Sequence, residues 1–206
     1  MTTIVYKKSY PAPPVNKREV LRYAGDLGDS PQALSILDEC ISESEGQLSY
    51  KLCYAYYPLT RVKSSLDLGF ATVESKSLSR HLDGCDEIIL LAATIGVAYD
   101  RILARESKIS PSKALILDAL GTERIEALCD LFCLEEAVWQ REKGIILTPR
   151  FSVGYGDLPI DLQKSIFLAL SCEKNIGLTL GESLLMSPQK SVTAIIGLRR
   201  CKNDDI

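Results

Sequence analysis

Histidine is nearly missing from this sequence: His81 is the only one among 206 residues. A single imidazole leaves no multi-histidine metal site and argues against a Ser-His-Asp or Cys-His device. No Gly-x-Gly-x-x-Gly follows a strand pattern, no Gly-x-x-x-x-Gly-Lys-Ser/Thr occurs, and there is no Gly-x-Ser-x-Gly elbow. The chain therefore does not read as a kinase, a P-loop enzyme, a Rossmann dehydrogenase or a common hydrolase. Lysine and arginine are scattered, and the formal net charge is −3 with a pI near 5.3. That balance argues against nucleic acid as a partner, which needs a concentrated basic surface. No apolar stretch is long enough to span a bilayer, so no membrane association is expected. The first residues, MTTIVYKKSYPAPP, lack the basic-then-apolar order of a secretion signal and are read as a mature, cytoplasmic start. Cys-x-x-Cys pairs are missing too. The cysteines at 40, 53, 85, 129, 133, 172 and 201 are odd in number and irregular in spacing. Free buried thiols are the expectation, including for Cys129 and Cys133, which share a helix face without a further ligand in view.

What is present is enough apolar material for a core, 46% of residues against 25% charged. Residues 1–15 read as an N-terminal arm with prolines at 11, 13 and 14, residues 16–198 as one domain, and 199–206 as a tail. Asn16 with Glu19 resembles a capping pair ahead of a short helix over 17–24. Ser30-Pro31 opens a second helix on Ala33, Leu34, Ile36, Leu37, Cys40 and Ile41.

The period then changes. Leu48, Tyr50, Leu52, Tyr54 and Tyr56 alternate with smaller or polar residues, a strand pattern. Such tyrosines can form a stacking platform, but a sheet face packed under helices is their commoner use. Further strands are expected near 66–73, 86–94, 145–147, 176–180 and 191–198. Helices are expected at 77–82, ended by Gly84, at 96–108, at 110–143 and at 160–171. The long one carries an apolar stripe of Ala114, Leu115, Leu117, Leu120, Ile125, Leu128, Phe132 and Val138. Gly121 interrupts it at a cost of about 1 kcal/mol relative to alanine, either as a kink or as a place of close approach. Strand runs and helix runs are segregated, which favours an α+β fold, an antiparallel sheet with helices packed on it.

The segment Thr148–Pro159 holds two glycines and two prolines and must be loop. Within it Arg150 offers a guanidinium that can grip a carboxylate with two parallel hydrogen bonds. Gly154 allows close backbone approach, and Tyr155 brings a flat amphipathic ring. Taken alone, such a loop is more often a structural turn.

The pattern extends further, however. Arg150-x-x-x-Gly154-Tyr155 is followed by a helix, then by Gly177-Leu178-Thr179-Leu180, Glu182-Ser183, Met186, Pro188 and Ser191-Val192-Thr193. This order resembles the activation domain of vitamin B12-dependent methionine synthase, in its separate-chain form. There an Arg-Pro-x-x-Gly-Tyr loop precedes Thr-Glu-Ser-x-x-Met-x-Pro and a Ser-Val-Ser-Gly strand. Asp118-Ala119-Leu120-Gly121 with Glu126 is similar to the family's ligand-site helix. The matching residues fall within about 118–198.

The resemblance implies a methionine synthase activation domain-like fold and binding of S-adenosylmethionine. It implies a partner chain that carries cobalamin and a flavodoxin-type or other electron donor. The chain would then support reductive methylation of cob(II)alamin as a component of methionine synthase, with no catalytic acid, base or nucleophile and no metal site of its own. Carried over residue by residue, Arg150 holds the ligand's α-carboxylate, Gly154 and Tyr155 meet it through backbone and ring, and Ser152 and Val153 line the same loop. Glu126 faces its positive end. Glu182 contacts it or braces the loop that faces cobalamin, and Glu142 is a fainter candidate. Three departures stand out. Phe151 replaces the proline, the family's early aspartate has no counterpart that can be placed, and no tyrosine-rich segment follows the Ser191 strand. Two alternatives stay open: a non-catalytic interaction protein, or an activator of another corrinoid methyltransferase.

Overall fold

The architecture is that of a computed structural model, which describes residues 3–25 and 30–201. The chain begins in strand β1 (Tyr6–Tyr10) and passes through helices α1 (Lys17–Tyr23) and α2 (Pro31–Ser44) to β2 (Tyr50–Pro58). Three short strands follow, β3 (Thr60–Val62), β4 (Ser65–Asp67) and β5 (Thr72–Val73), then α3 (Lys76–His81) and β6 (Cys85–Thr94). Helices α4 (Val97–Glu106) and α5 (Pro111–Arg141) lead to β7 (Ile145–Leu147), α6 (Leu162–Leu170) and α7 (Cys172–Ile176). The described chain closes with β8 (Thr179–Leu180), β9 (Met186–Ser187) and β10 (Ser191–Arg200).

The principal sheet has five strands in the order β1-β2-β6-β10-β7, every neighbouring pair antiparallel. Helices cover both faces. Leu52, Ile89, Leu91, Ala93 and Ile196 pack against α1, α2, α4 and α5. Cys53, Ala55, Ile88, Leu90 and Ile195 pack against α3, α6 and α7. This explains why β6 reads as an unbroken apolar run, Ile88 to Ala93: neither of its faces meets water. Tyr54 and Tyr56 lie partly buried beneath α5, with Tyr54 4.9 Å from the Phe132 ring.

Local chemistry sets the helix starts. Asn16, Ser30 and Ser110 each accept a hydrogen bond from the amide three residues on, at 3.2, 3.4 and 3.4 Å. The Asn16–Glu19 pair does not close a reciprocal capping box. The Asn16 amide donates instead to Glu123 Oε1 at 3.0 Å, and Glu19 bonds Arg22.

Several details differ from the sequence expectation. Residues 6–10 of the arm form an edge strand on β2, with Tyr6 opposite Tyr54 and Tyr10 opposite Tyr50. The prolines after it are clasped by Arg124, whose Nη2 donates to the Pro14 carbonyl at 2.8 Å while Glu123 pairs with the same guanidinium. Leu115 and Val138 of the expected stripe are exposed: Ile116, Leu117, Glu136 and Gln140 are the buried residues at the two ends of α5, and these two side chains lie on its outer face. Residues 172–176 are helical, so the strand expected over 176–180 shrinks to Thr179–Leu180. The helix is continuous through Gly121. A Cβ there would sit closer to Tyr99 Cε1 than van der Waals contact allows, and 3.0 Å from Lys190 Cε and Cγ. Of the two readings of this glycine, close approach is the one realised, and side chains make it.

Candidate functional site

The Arg150 loop is held at both ends. Its first part follows β7 along the edge of β10: Thr148 N donates to Gly197 O at 2.9 Å, and Phe151 and Ile195 exchange both backbone hydrogen bonds at 2.9 and 2.8 Å. Its far part turns at Gly154 and Gly156, both with positive φ. A Cβ on Gly156 would lie 2.6 Å from Ser77 Oγ, so the glycine admits the start of α3. Asp157 then accepts from Ser75 Oγ at 2.6 Å, Lys76 N at 2.7 Å and Ser77 N at 3.0 Å. These three donors hold its carboxyl well below the usual aspartate range. His81 adds a bond between Nε2 and the Pro149 carbonyl at 2.8 Å, with its ring 5.0 Å from Phe151. The only histidine thus props the loop from beneath.

Arg150 leaves this frame toward α5. Its Nη2 donates to Glu126 Oε2 at 2.6 Å and to Asp130 Oδ1 at 2.9 Å. Its Nη1 is buried and has no hydrogen-bond partner among the described residues. A buried, unpaired guanidinium nitrogen is costly and calls for an acceptor. Asp118, Thr122, Glu126 and Asp130 recur every four residues and form one polar row on α5. Lys190 takes the upper pair, 2.8 Å from Asp118 Oδ1 and 2.9 Å from Thr122 Oγ1, and Arg150 takes the lower.

Glu126 and Asp130 line a concavity of about 620 Å³ together with Pro13, Pro14 and Glu123. A separate cleft of about 860 Å³, which neither Arg150 nor the row lines, opens behind the next residues of the loop. Ser152 and Val153 form one wall, Ile160 and Gln163 another, and the β8–β9 hairpin a third, with the first residues of β10 between them. Gln163 is buried and accepts from Thr193 Oγ1 at 2.7 Å. Asp100 lines the cleft as well. One of its oxygens accepts from Gln189 N at 2.9 Å, while Oδ1 is buried without a partner among the described residues.

The residues singled out in the sequence are distributed as follows. Arg150 and Glu126 meet directly across 24 residues of chain. Ser152 and Val153 line the cleft. Gly154 forms the turn, and Tyr155 stands 69% exposed with its ring 6.4 Å from Phe151. Glu182 is exposed on the hairpin, one residue beyond the lining residue Gly181, and touches neither Arg150 nor Glu126. Glu142 caps the exposed end of α5, away from this cluster. Asp130, Asp157, Asp100 and Lys190 were not anticipated. The four-residue spacing from Glu126 was a usable signal for Asp130; nothing local announces the others.

All seven cysteines are free; five are buried as expected, while Cys133 and Cys201 are half-buried. Cys129 is buried, and burial pushes the Cys133 thiol up to about 12. No cluster able to hold a metal ion exists among the described residues. No described helix is long and apolar enough to cross a membrane.

Fold and site together define a class: an α+β protein with a five-stranded antiparallel sheet covered on both faces and an arginine–carboxylate cluster whose carboxylates border an open concavity. Among solved structures, the chain is similar to the MetH reactivation domain, crystallised bound to AdoHcy. The TM-score is 0.66 at 15% sequence identity, over 94% of this chain and 78% of that one. The fold is therefore that of the methionine synthase reactivation domain, as the resemblance implied. No family model matches the sequence, and no curated protein does.

Proposed function

We propose that this chain binds S-adenosylmethionine at the Arg150–Glu126 cluster and serves as the reactivation module of a cobalamin-dependent methionine synthase whose cobalamin rides on a partner chain. The observation that carries the reading is the buried Nη1 of Arg150, without a partner among the described residues and set beside two carboxylates. An amino-acid end group presents a carboxylate and an ammonium together, and a sulfonium adds a second positive centre. Arg150 Nη1 suits the first and Glu126 the positive centres, while Asp130 competes for the guanidinium. Cobalamin, reduced by one electron from a flavodoxin-type or similar donor, would accept the methyl group from sulfur and leave S-adenosylhomocysteine. This chain's share is binding and orientation. The MetH domain of like fold was crystallised with AdoHcy, the demethylated form of that ligand.

One observation favours a second reading. Arg150 Nη2 already pairs with two carboxylates, as in a cluster that only braces the loop of a non-catalytic interaction protein or of an activator for another corrinoid methyltransferase. Titration calorimetry with S-adenosylmethionine and S-adenosylhomocysteine separates a ligand-binding module from a pure interaction protein. Saturable heat, lost or weakened by Arg150→Ala by about 1.5–3 kcal/mol, supports the proposal. No heat from folded protein at millimolar ligand refutes it. Rescue of an oxidised cobalamin-carrying chain then tells methionine synthase from other corrinoid partners.

A further inference from the structure

A smaller concavity lies between the C-terminal half of α5 and the strands β1 and β2. It measures about 330 Å³. Its wall is a continuous set of aromatic rings: Tyr54 lies 5.2 Å from Tyr6, 5.9 Å from Tyr56 and 4.9 Å from Phe132, and Tyr56 lies 6.3 Å from Trp139. The set is not sealed. Tyr6 and Trp139 are 43% and 48% exposed. Rings packed only for stability are normally covered; these border open space.

The lining of the cleft carries a net negative charge. Glu135 and Glu136 both line it, against one cation, Lys8, which pairs with Glu135. Glu136 is 7% exposed. It accepts from the Tyr56 hydroxyl and from Gln140 Nε2 at 2.8 Å, both neutral donors, and none of the ion pairs of the described residues includes it. A buried carboxylate without a cation, set behind π faces that are themselves negative, makes a field that favours positive charge. Lys8 Nζ stands 4.8 Å over the Tyr10 ring, and Lys143 Nζ lies over Trp139.

We infer that this cleft binds a compact methylated ammonium compound, with the Tyr56 and Trp139 rings against its methyl groups and Glu136 supplying the counter-charge. A methylated ammonium suits it better than a primary amine. It has no N–H groups to satisfy, so an aromatic wall can replace its weakly held water at small cost. The volume is at the low end for ligand sites and matches a small solute rather than a nucleotide.

The test uses a convenience of the sequence: Trp139 is the only tryptophan. Its emission reports from the cleft wall. Titration with choline should give a saturable change in that emission. The uncharged isostere 3,3-dimethyl-1-butanol should bind about tenfold more weakly, the size of a partly desolvated cation–π attraction. Glu136→Gln should weaken choline by a similar factor at unchanged circular dichroism. Trp139→Leu, at a half-exposed position that does not decide folding, should weaken it in calorimetry even if Glu136→Gln fails to fold. Equal responses to choline and its isostere, or no saturable response to choline at tens of millimolar, overturn the inference.

Discussion

Gly121→Ala is the most instructive single change in this protein. In an open helix the substitution would add about 1 kcal/mol, the difference in helix propensity between glycine and alanine. Here the new methyl group points at Tyr99 Cε1, well inside contact distance, and touches Lys190 at 3.0 Å. Tyr99 is fully buried, and its hydroxyl donates to the Leu117 carbonyl at 2.5 Å. The ring cannot recede without stretching that bond, and Lys190 is anchored by Asp118 and Thr122. Overpacking costs about 1–3 kcal/mol and a lost buried hydrogen bond about 1–3 kcal/mol. Set against the propensity gain, the expected result is a net loss of about 2 kcal/mol, or roughly 4–8 °C in Tm for a chain of this size. Urea unfolding of the variant measures it. In a Tyr99→Leu background the closer obstruction is gone and only the flexible Lys190 chain has to give, so the same glycine-to-alanine change should lose most of its cost and approach the propensity gain of about 1 kcal/mol. If Gly121→Ala alone stabilises the protein, the glycine is not there for close approach and the reasoning fails.

Three further outcomes follow from the described contacts. Arg124→Ala should cost about 3–5 kcal/mol by leaving Glu123 buried and uncompensated and the Pro13 and Pro14 carbonyls unbonded; a Glu123→Met/Arg124→Met double variant that is equally damaged would show that charge is not the cause. Asp130→Asn should tighten S-adenosylhomocysteine binding by up to about fivefold, since an exposed rival for Arg150 is worth under about 1 kcal/mol, whereas Glu126→Gln should weaken it; calorimetry on both tests the assignment of roles. The folded-state pKa of Asp157 is depressed, so its capping of α3 is complete above the ordinary aspartate value near 3.9 and is lost as pH falls through the lower folded value. Amide exchange at Lys76 and Ser77 should accelerate in Asp157→Asn at pH 7, and in the parent only well below pH 4.

Elements governed by neighbours along the chain were legible in the sequence. The alternation through Tyr50–Tyr56 marked β2, and Ser110-Pro111 with Gly144 bracketed α5 to within a few residues. The arm's pairing with β2 was not legible, because an edge strand of exposed residues carries no apolar period; only its partner defines it. Helix α7 was missed for a related reason. Cys172–Ile176 is five residues long, and a Ser171 backbone in the left-handed region splits it from α6. At the site, the Arg150 loop and Glu126 could be named because their spacing resembles a known pattern. Asp157 and Asp100 act on elements about 80 to 90 residues away, and no local signal encodes such distance.

The place of β10 in the sheet carries a consequence for how the protein comes into being. Residues 191–200 lie between β6 and β7, and Ser191 pairs with Thr94, nearly half the chain earlier. Until that segment leaves the ribosome, the most apolar strand has one open edge and the Arg150 loop has no backbone to run along. The main sheet therefore cannot close until residues 191–200 have been made. The growing chain must carry Ile88–Ala93 unpaired on one side meanwhile, and that interval, more than any property of the finished fold, is when it is most exposed to misassociation.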